Sequence, residues 1–249
     1  MENLKLNRTL FAIGMFVVVF VTQVFLGRIG HYIASVISYG KIDPYDAFAG
    51  ISIHHIVQMV LALIIITVLG KLLKIDFYLK PGDVARGKKY LITFTSIFAL
   101  IAVALHVFMY INNQLPVYTF PLDKRNVLGT LGFQLLISGT SEEIVFRALP
   151  VTMLVYAFGK SIPVKGHVTL EVILASILFS LAHTKWSLMP FKFEMDTFQI
   201  VYSFILGTIQ GVVYQKSKSI VYPMLMHNIS NFLMVGMGYL FTALKAITS

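Results

Sequence analysis

Apolar residues gather into long stretches separated by short polar joints. The stretches run from about Thr9 to Leu26, Ala49 to Leu69, Tyr90 to Ile111, Val127 to Phe158, Val168 to His183, Phe198 to Tyr214 and Ile220 to Leu244. Most approach or exceed the roughly 20 residues a helix needs to cross about 30 Å of hydrocarbon. Backbone groups in lipid must be satisfied within the protein, so the pattern predicts an all-α, polytopic transmembrane helical bundle of about seven spans. The fourth stretch is too long for a simple crossing and carries Glu142, Glu143 and Arg147, so a tilt, a break or passage of its middle through the protein interior is expected there. The segment from Ile29 to Tyr39 reads either as a helical extension or as an interfacial piece. Joints such as Lys41 to Tyr45, Lys80 to Gly87 and Pro121 to Arg125 carry turn residues.

Composition agrees with a lipid solvent: 57% of the 249 residues are hydrophobic and only 12% charged. The net charge of +9 would suggest nucleic acid in a soluble protein. Here the Lys and Arg residues sit between apolar runs, so anionic lipid headgroups account for them and no nucleic-acid partner is expected. The cluster Lys71, Lys74, Lys80, Arg86, Lys88 and Lys89, between the second and third spans, places the N-terminus in the cytoplasm by the positive-inside rule. A multi-pass cell-membrane protein is the expected setting. The absence of cysteine rules out a thiol nucleophile and a disulfide framework.

An ionisable group at the centre of a span costs at least about 2.5 kcal/mol, so the sequence Ser141-Glu142-Glu143-Ile144-Val145-Phe146-Arg147 needs a reason. Glu143 and Arg147 are four apart and share a helix face. Glu142, turned by about 100°, is left to point into a cavity. One carboxylate balanced by Arg beside one that is not is an arrangement for tuning a general base. Phe179 and His183 share a face of the fifth span, and His227 and Asn231 a face of the seventh. His227 and Asn231 present two donors side by side, as oxyanion stabilisation requires.

The ordered motifs EExxxR, FxxxH and HxxxN, each inside an apolar run, resemble the CPBP family of intramembrane proteases, named for CAAX-prenyl-protein endopeptidases and bacteriocin-processing proteins. The resemblance covers roughly Val127 to Leu244. It implies that Glu142 and His183 activate the attacking water, that His227 and Asn231 bind the oxyanion, and that Glu143 and Arg147 orient and charge-balance the base. The expected division is residues 1–126 as about three N-terminal spans and residues 127–249 as a catalytic membrane core of about four. The resemblance also brings a cofactor question: no cofactor is favoured, the alternative being an open zinc site with His183, His227 and a Glu as ligands. The expected partner is a membrane-associated protein or a small peptide precursor, such as a pheromone, a bacteriocin or a CAAX-like chain. The short chain looks more like the family's bacterial branch.

Other designs are tested by what is missing. None of the seven His residues is followed by Glu, so HExxH is absent, and no Asp lies within a span. Ser138 and Ser141, beside the acidic pair, leave a serine enzyme open, although small residues are routine helix-packing positions. His54, His55 and His106 read as lone membrane histidines that bond a neighbouring helix, with His54 or His55 alternatively lining a substrate entrance. The competing functions are a proton-coupled transporter using Glu142, Glu143 and His227, and an inactive peptide-binding scaffold or immunity protein of the same fold.

Overall fold

The computed structural model describes residues 2–188 and 191–248, with side chains from 7 to 185 and from 192 to 248. Helices α1 (Glu2–Val36), α2 (Ala49–Leu73) and α3 (Val84–Ile111) lead into a continuous helical run over residues 124–158, here α4. Then follow α5 (Leu170–Ala182), α6 (Thr197–Ser217) and α7 (Val221–Thr248). Two small antiparallel hairpins, β1 (Pro163–Lys165) with β2 (Val168–Thr169) and β3 (Lys185–Leu188) with β4 (Phe191–Glu194), precede α5 and α6. Among the described residues, α1, α2, α3, α6 and α7 are each long and apolar enough to cross a membrane. The protein is an all-α membrane bundle.

The segment from Ile29 onward extends α1 to Val36. Aspartates in the connections set where helices start. Asp83 accepts from Arg86 N at 3.0 Å and begins α3, and Asp123 accepts from Asn126 N at 2.9 Å and begins α4. Asp43 receives Ala47 N at 2.9 Å and both Phe48 N and Ala49 N at 2.7 Å, which satisfies the donors leading into α2 and the first one within it. Gly82 adopts a left-handed φ of +58° against the Lys218 and Ser217 carbonyls, and Asp83 N bonds Ser217 O at 2.7 Å. That close approach ties the α2–α3 joint to the α6–α7 joint.

Helix α4 is the hub. It does not break; two π segments, Gln134–Ser138 and Ile144–Ala148, interrupt its α-helical geometry on either side of Gly139–Glu143. Such turns widen the helix locally and re-aim its side chains, and they concentrate at functional sites. Val145, Ala148 and Leu149 are buried with Val19 and Leu26 of α1, Ala62 and Ile66 of α2, and Val172, Ala175 and Leu178 of α5. Outward positions such as Val17, Val21 and Phe25 on α1 stay exposed and apolar, as lipid contact requires. Gly207 and Gly211 bring α6 against its neighbours: Gly207 faces Arg147 and Ser176, and Gly211 faces Val172.

Candidate active site

The middle of α4 holds Glu143 and Arg147, both 0% exposed. Arg147 Nη2 lies 3.4 Å from Glu143 Oε1 and donates to Gln210 Oε1 of α6 at 3.0 Å, and its guanidinium sits 4.1 Å over the Phe179 ring. A buried arginine is tolerated only when its charge is met this way, because taking an ion out of water costs several kcal/mol. Glu143 Oε1 also faces His227 Nδ1 of α7 at 2.8 Å. An ionised carboxylate only accepts, so His227 donates from Nδ1 and turns Nε2 the other way.

That second nitrogen meets Glu142, with Nε2 at 3.4 Å from Oε2. The Glu142 side chain keeps 17% of its surface exposed, against 0% for Glu143. It lines a cavity of about 550 Å³ shared with Gln23 and His31 of α1, His54, His55 and Gln58 of α2, and His183. His183 closes α5 as its C-terminal cap, with Nδ1 on Phe179 O at 2.8 Å and its ring edge-on to Phe179, centroids 4.7 Å apart. Phe179 also packs edge-on against His227 at 5.9 Å. The aromatic ring thus spans the step between the deep imidazole and the one nearer the mouth.

The geometry brings Glu142, Glu143, Arg147 and His227 into one contact network. His183 reaches it through Phe179 and the shared cavity. Asn231, one turn beyond His227, donates to Ser138 Oγ at 3.0 Å. Asn228, which no motif marked, receives Thr140 N and donates to Thr140 Oγ1, locking α7 to α4. The lock is tight: a Cβ on Gly139 would stand 2.6 Å from His227 Cβ.

His55, expected to bond a neighbouring helix or to line a substrate entrance, does both: its Nδ1 lies 2.7 Å from Ser141 Oγ of α4, it lines the cavity, and its Nε2 lies 3.8 Å from Glu142 Oε1. The contact with the acidic pair had no signal in the local sequence. Ser141 meets a histidine but is 0% exposed, and it does not line the cavity as Glu142 does. A serine nucleophile there has no access to substrate. His106 bonds Ala102 O of its own helix at 2.8 Å.

Among the described residues no three His, Asp or Glu side chains converge in metal-binding geometry. His227 Nδ1 is bound to Glu143 and His183 Nδ1 to a carbonyl, which leaves Nε2 of each open, and the side chains as placed form no closed ligand set.

Residues 124–233 match a family model described as Type II CAAX prenyl endopeptidase Rce1-like. The matched segment contains all three motifs. Neither the curated proteins nor the solved structures gave a match to this chain.

Proposed function

Because residues 124–233 match the model of the Rce1-like type II CAAX prenyl endopeptidases, we propose that this membrane protein is an intramembrane endopeptidase whose general base is Glu142. The observation that supports it best is a largely buried carboxylate, Glu142, that still opens onto a polar cavity inside an apolar bundle, with His227 at 3.4 Å. Glu142 takes a proton from water as the water oxygen bonds to the substrate carbonyl carbon. The carbonyl oxygen becomes an oxyanion, which the imidazolium Nε2–H of His227 and the second amide N–H of Asn231 stabilise. His227 between two carboxylates is suited to carry that charge, and Arg147 balances Glu143. When the C–N bond breaks, Glu142 returns its proton to the departing amine. His183 faces the same cavity and steers water and substrate at its mouth.

The substrate of this proposal is a membrane-associated protein or small peptide precursor, delivered from lipid or from the membrane surface. The cavity mouth is lined by Arg28 and His31 late in α1, Ile51 early in α2, and Thr184 and Lys185 beyond α5. The basic cluster from Lys71 to Lys89 lies at the opposite ends of α2 and α3. With that cluster cytoplasmic, the mouth opens to the extracytoplasmic side of the cell membrane. The test is cleavage in proteoliposomes, read by mass spectrometry on a prenylated CAAX peptide and on an unmodified amphipathic peptide. Glu142→Gln is expected to abolish turnover of whichever peptide the parent cuts. Parent-like cleavage by a folded Glu142→Gln protein overturns the reading.

A further inference from the structure

The ring of His55 is held from three sides. Phe133 packs edge-on at 5.1 Å, His54 lies at 5.3 Å, and Nδ1 is 2.7 Å from Ser141 Oγ. Proton accounting then fixes its tautomer. The Ser138 carbonyl can only accept, and Ser141 Oγ donates to it at 2.9 Å. Ser141 has one hydroxyl proton, so toward His55 it accepts, and Nδ1 carries the hydrogen. The Ser138 carbonyl also faces the His55 ring as an acceptor. Neutral His55 therefore presents a lone pair from Nε2, aimed at Glu142 Oε1 across 3.8 Å.

Two acceptors at that separation are too far apart for a direct bond and repel unless a donor stands between them. Water is the donor the reaction already requires. We propose that His55 seats the attacking water: one hydrogen goes to His55 Nε2 and the other to Glu142 Oε1, with Ser141 as the positioning residue that locks the tautomer. On attack the hydrogen facing Glu142 transfers to Oε1. The other remains on the oxygen, held by Nε2, while the O–C bond forms. The carboxylate is thereby split between duties, Oε1 toward water and His55, and Oε2 toward His227. This assignment rests on the proposed endopeptidase chemistry and adds a second-span residue from outside the matched segment 124–233.

The test is steady-state cleavage, by folded variants in proteoliposomes, of whichever peptide, prenylated CAAX or unmodified amphipathic, the parent cuts. His55→Phe keeps the packing and removes the nitrogens. It is expected to lower kcat at least 10-fold with KM within about twofold. His55→Ala is expected to regain at least fivefold when imidazole is added, a rescue that a purely structural role would not show. Ser141→Ala releases the tautomer without removing the ring and should lower kcat by less than His55→Phe. The pH profile is read beside it, because Glu142 also faces His227, His183 and Arg147, and His55 faces His54. His55→Phe should alter the acidic limb and leave the alkaline limb in place. Parent-like kcat in His55→Phe, or loss in His55→Ala that imidazole does not relieve, overturns the inference. If Glu142→Gln is inert while His55→Phe is fully active, this inference alone fails. A fully active Glu142→Gln removes the endopeptidase reading and the inference with it.

Discussion

His227 binds Glu143 through Nδ1 at 2.8 Å and faces Glu142 through Nε2 at 3.4 Å, so one imidazole links a buried, charge-balanced carboxylate to an accessible one. Glu143 thus holds the Nδ1–H of His227 and aims its Nε2, without touching substrate. Glu143→Gln replaces an obligate acceptor with an amide that offers both donor and acceptor. The expected result is a fall in kcat of roughly 100-fold or more, with KM little changed. Kinetics that leave kcat within about threefold would remove Glu143 from this role.

Arg147 and Glu143 form a pair that the fold does not release to water, and that makes stability separable from activity. Arg147→Ala strands a buried carboxylate and is expected to cost about 3–5 kcal/mol. The double variant Glu143→Gln, Arg147→Met removes both charges and should recover most of that stability. It should stay as impaired in cleavage as Glu143→Gln. Thermal unfolding in detergent and peptide cleavage on the same samples provide the check; equal losses of stability in the single and double variants would contradict it.

Much of this framework is legible in the order of residues, for identifiable reasons. Among the described residues the seven helices fall on the apolar runs, five of them long and apolar enough to cross a membrane, and the paired Glu143 and Arg147 follow from helical spacing. The ends are less legible. Helix α1 continues through Arg28 and Gly30 to Val36, where hydropathy alone does not discriminate helix from interfacial chain. Helix α3 starts at Val84 because Asp83 caps it, ahead of the first strongly apolar residue. The π segments leave no trace in residue types, since they shift backbone bonding rather than side-chain character. His55 is hidden for another reason: its partner Ser141 is 86 positions away, and no local pattern encodes that contact.

The Asp43 cap predicts an acid sensitivity outside the membrane. Burial acts to raise its carboxyl, but the N–H groups of Ala49, Phe48 and Ala47 outweigh that and hold it below its ordinary value. A carboxyl lowered by folding adds stability above its unfolded value near pH 4. That contribution is lost as the pH falls through the lower, folded value. Asp43→Asn should cost about 1 kcal/mol at neutral pH. The gap between parent and variant melting temperatures should narrow as the pH falls through and below about 4. A constant gap across that range would show that the charge is irrelevant.

The chain has no cysteine, so single introduced thiols report sidedness without background. Thr184→Cys, at the cavity mouth, should react with a membrane-impermeant maleimide added outside intact cells. Lys80→Cys, in the basic joint, should react only after the membrane is opened. The reverse pattern would invert the topology and point the mouth at the cytoplasm.

Gly139 carries a packing prediction. An added methyl would press on His227 Cβ at 2.6 Å and on Asn228 N at 2.8 Å. Gly139→Ala should therefore push α7 away from α4 and impair cleavage at least 10-fold, beyond any fall in melting temperature. Wild-type turnover in that variant would show that the crossing is loose.

The two wide turns of α4 also bear on the length of this stretch of polypeptide. Each accommodates one residue more than a regular helix would. The surplus is taken up locally, so removing one residue within Gln134–Ser138 would let ordinary winding resume while everything downstream kept its facing. Homologous genes should therefore tolerate the loss of one residue there far better than a loss elsewhere in the helix, which would swing the acidic pair away from its partners by about 100°.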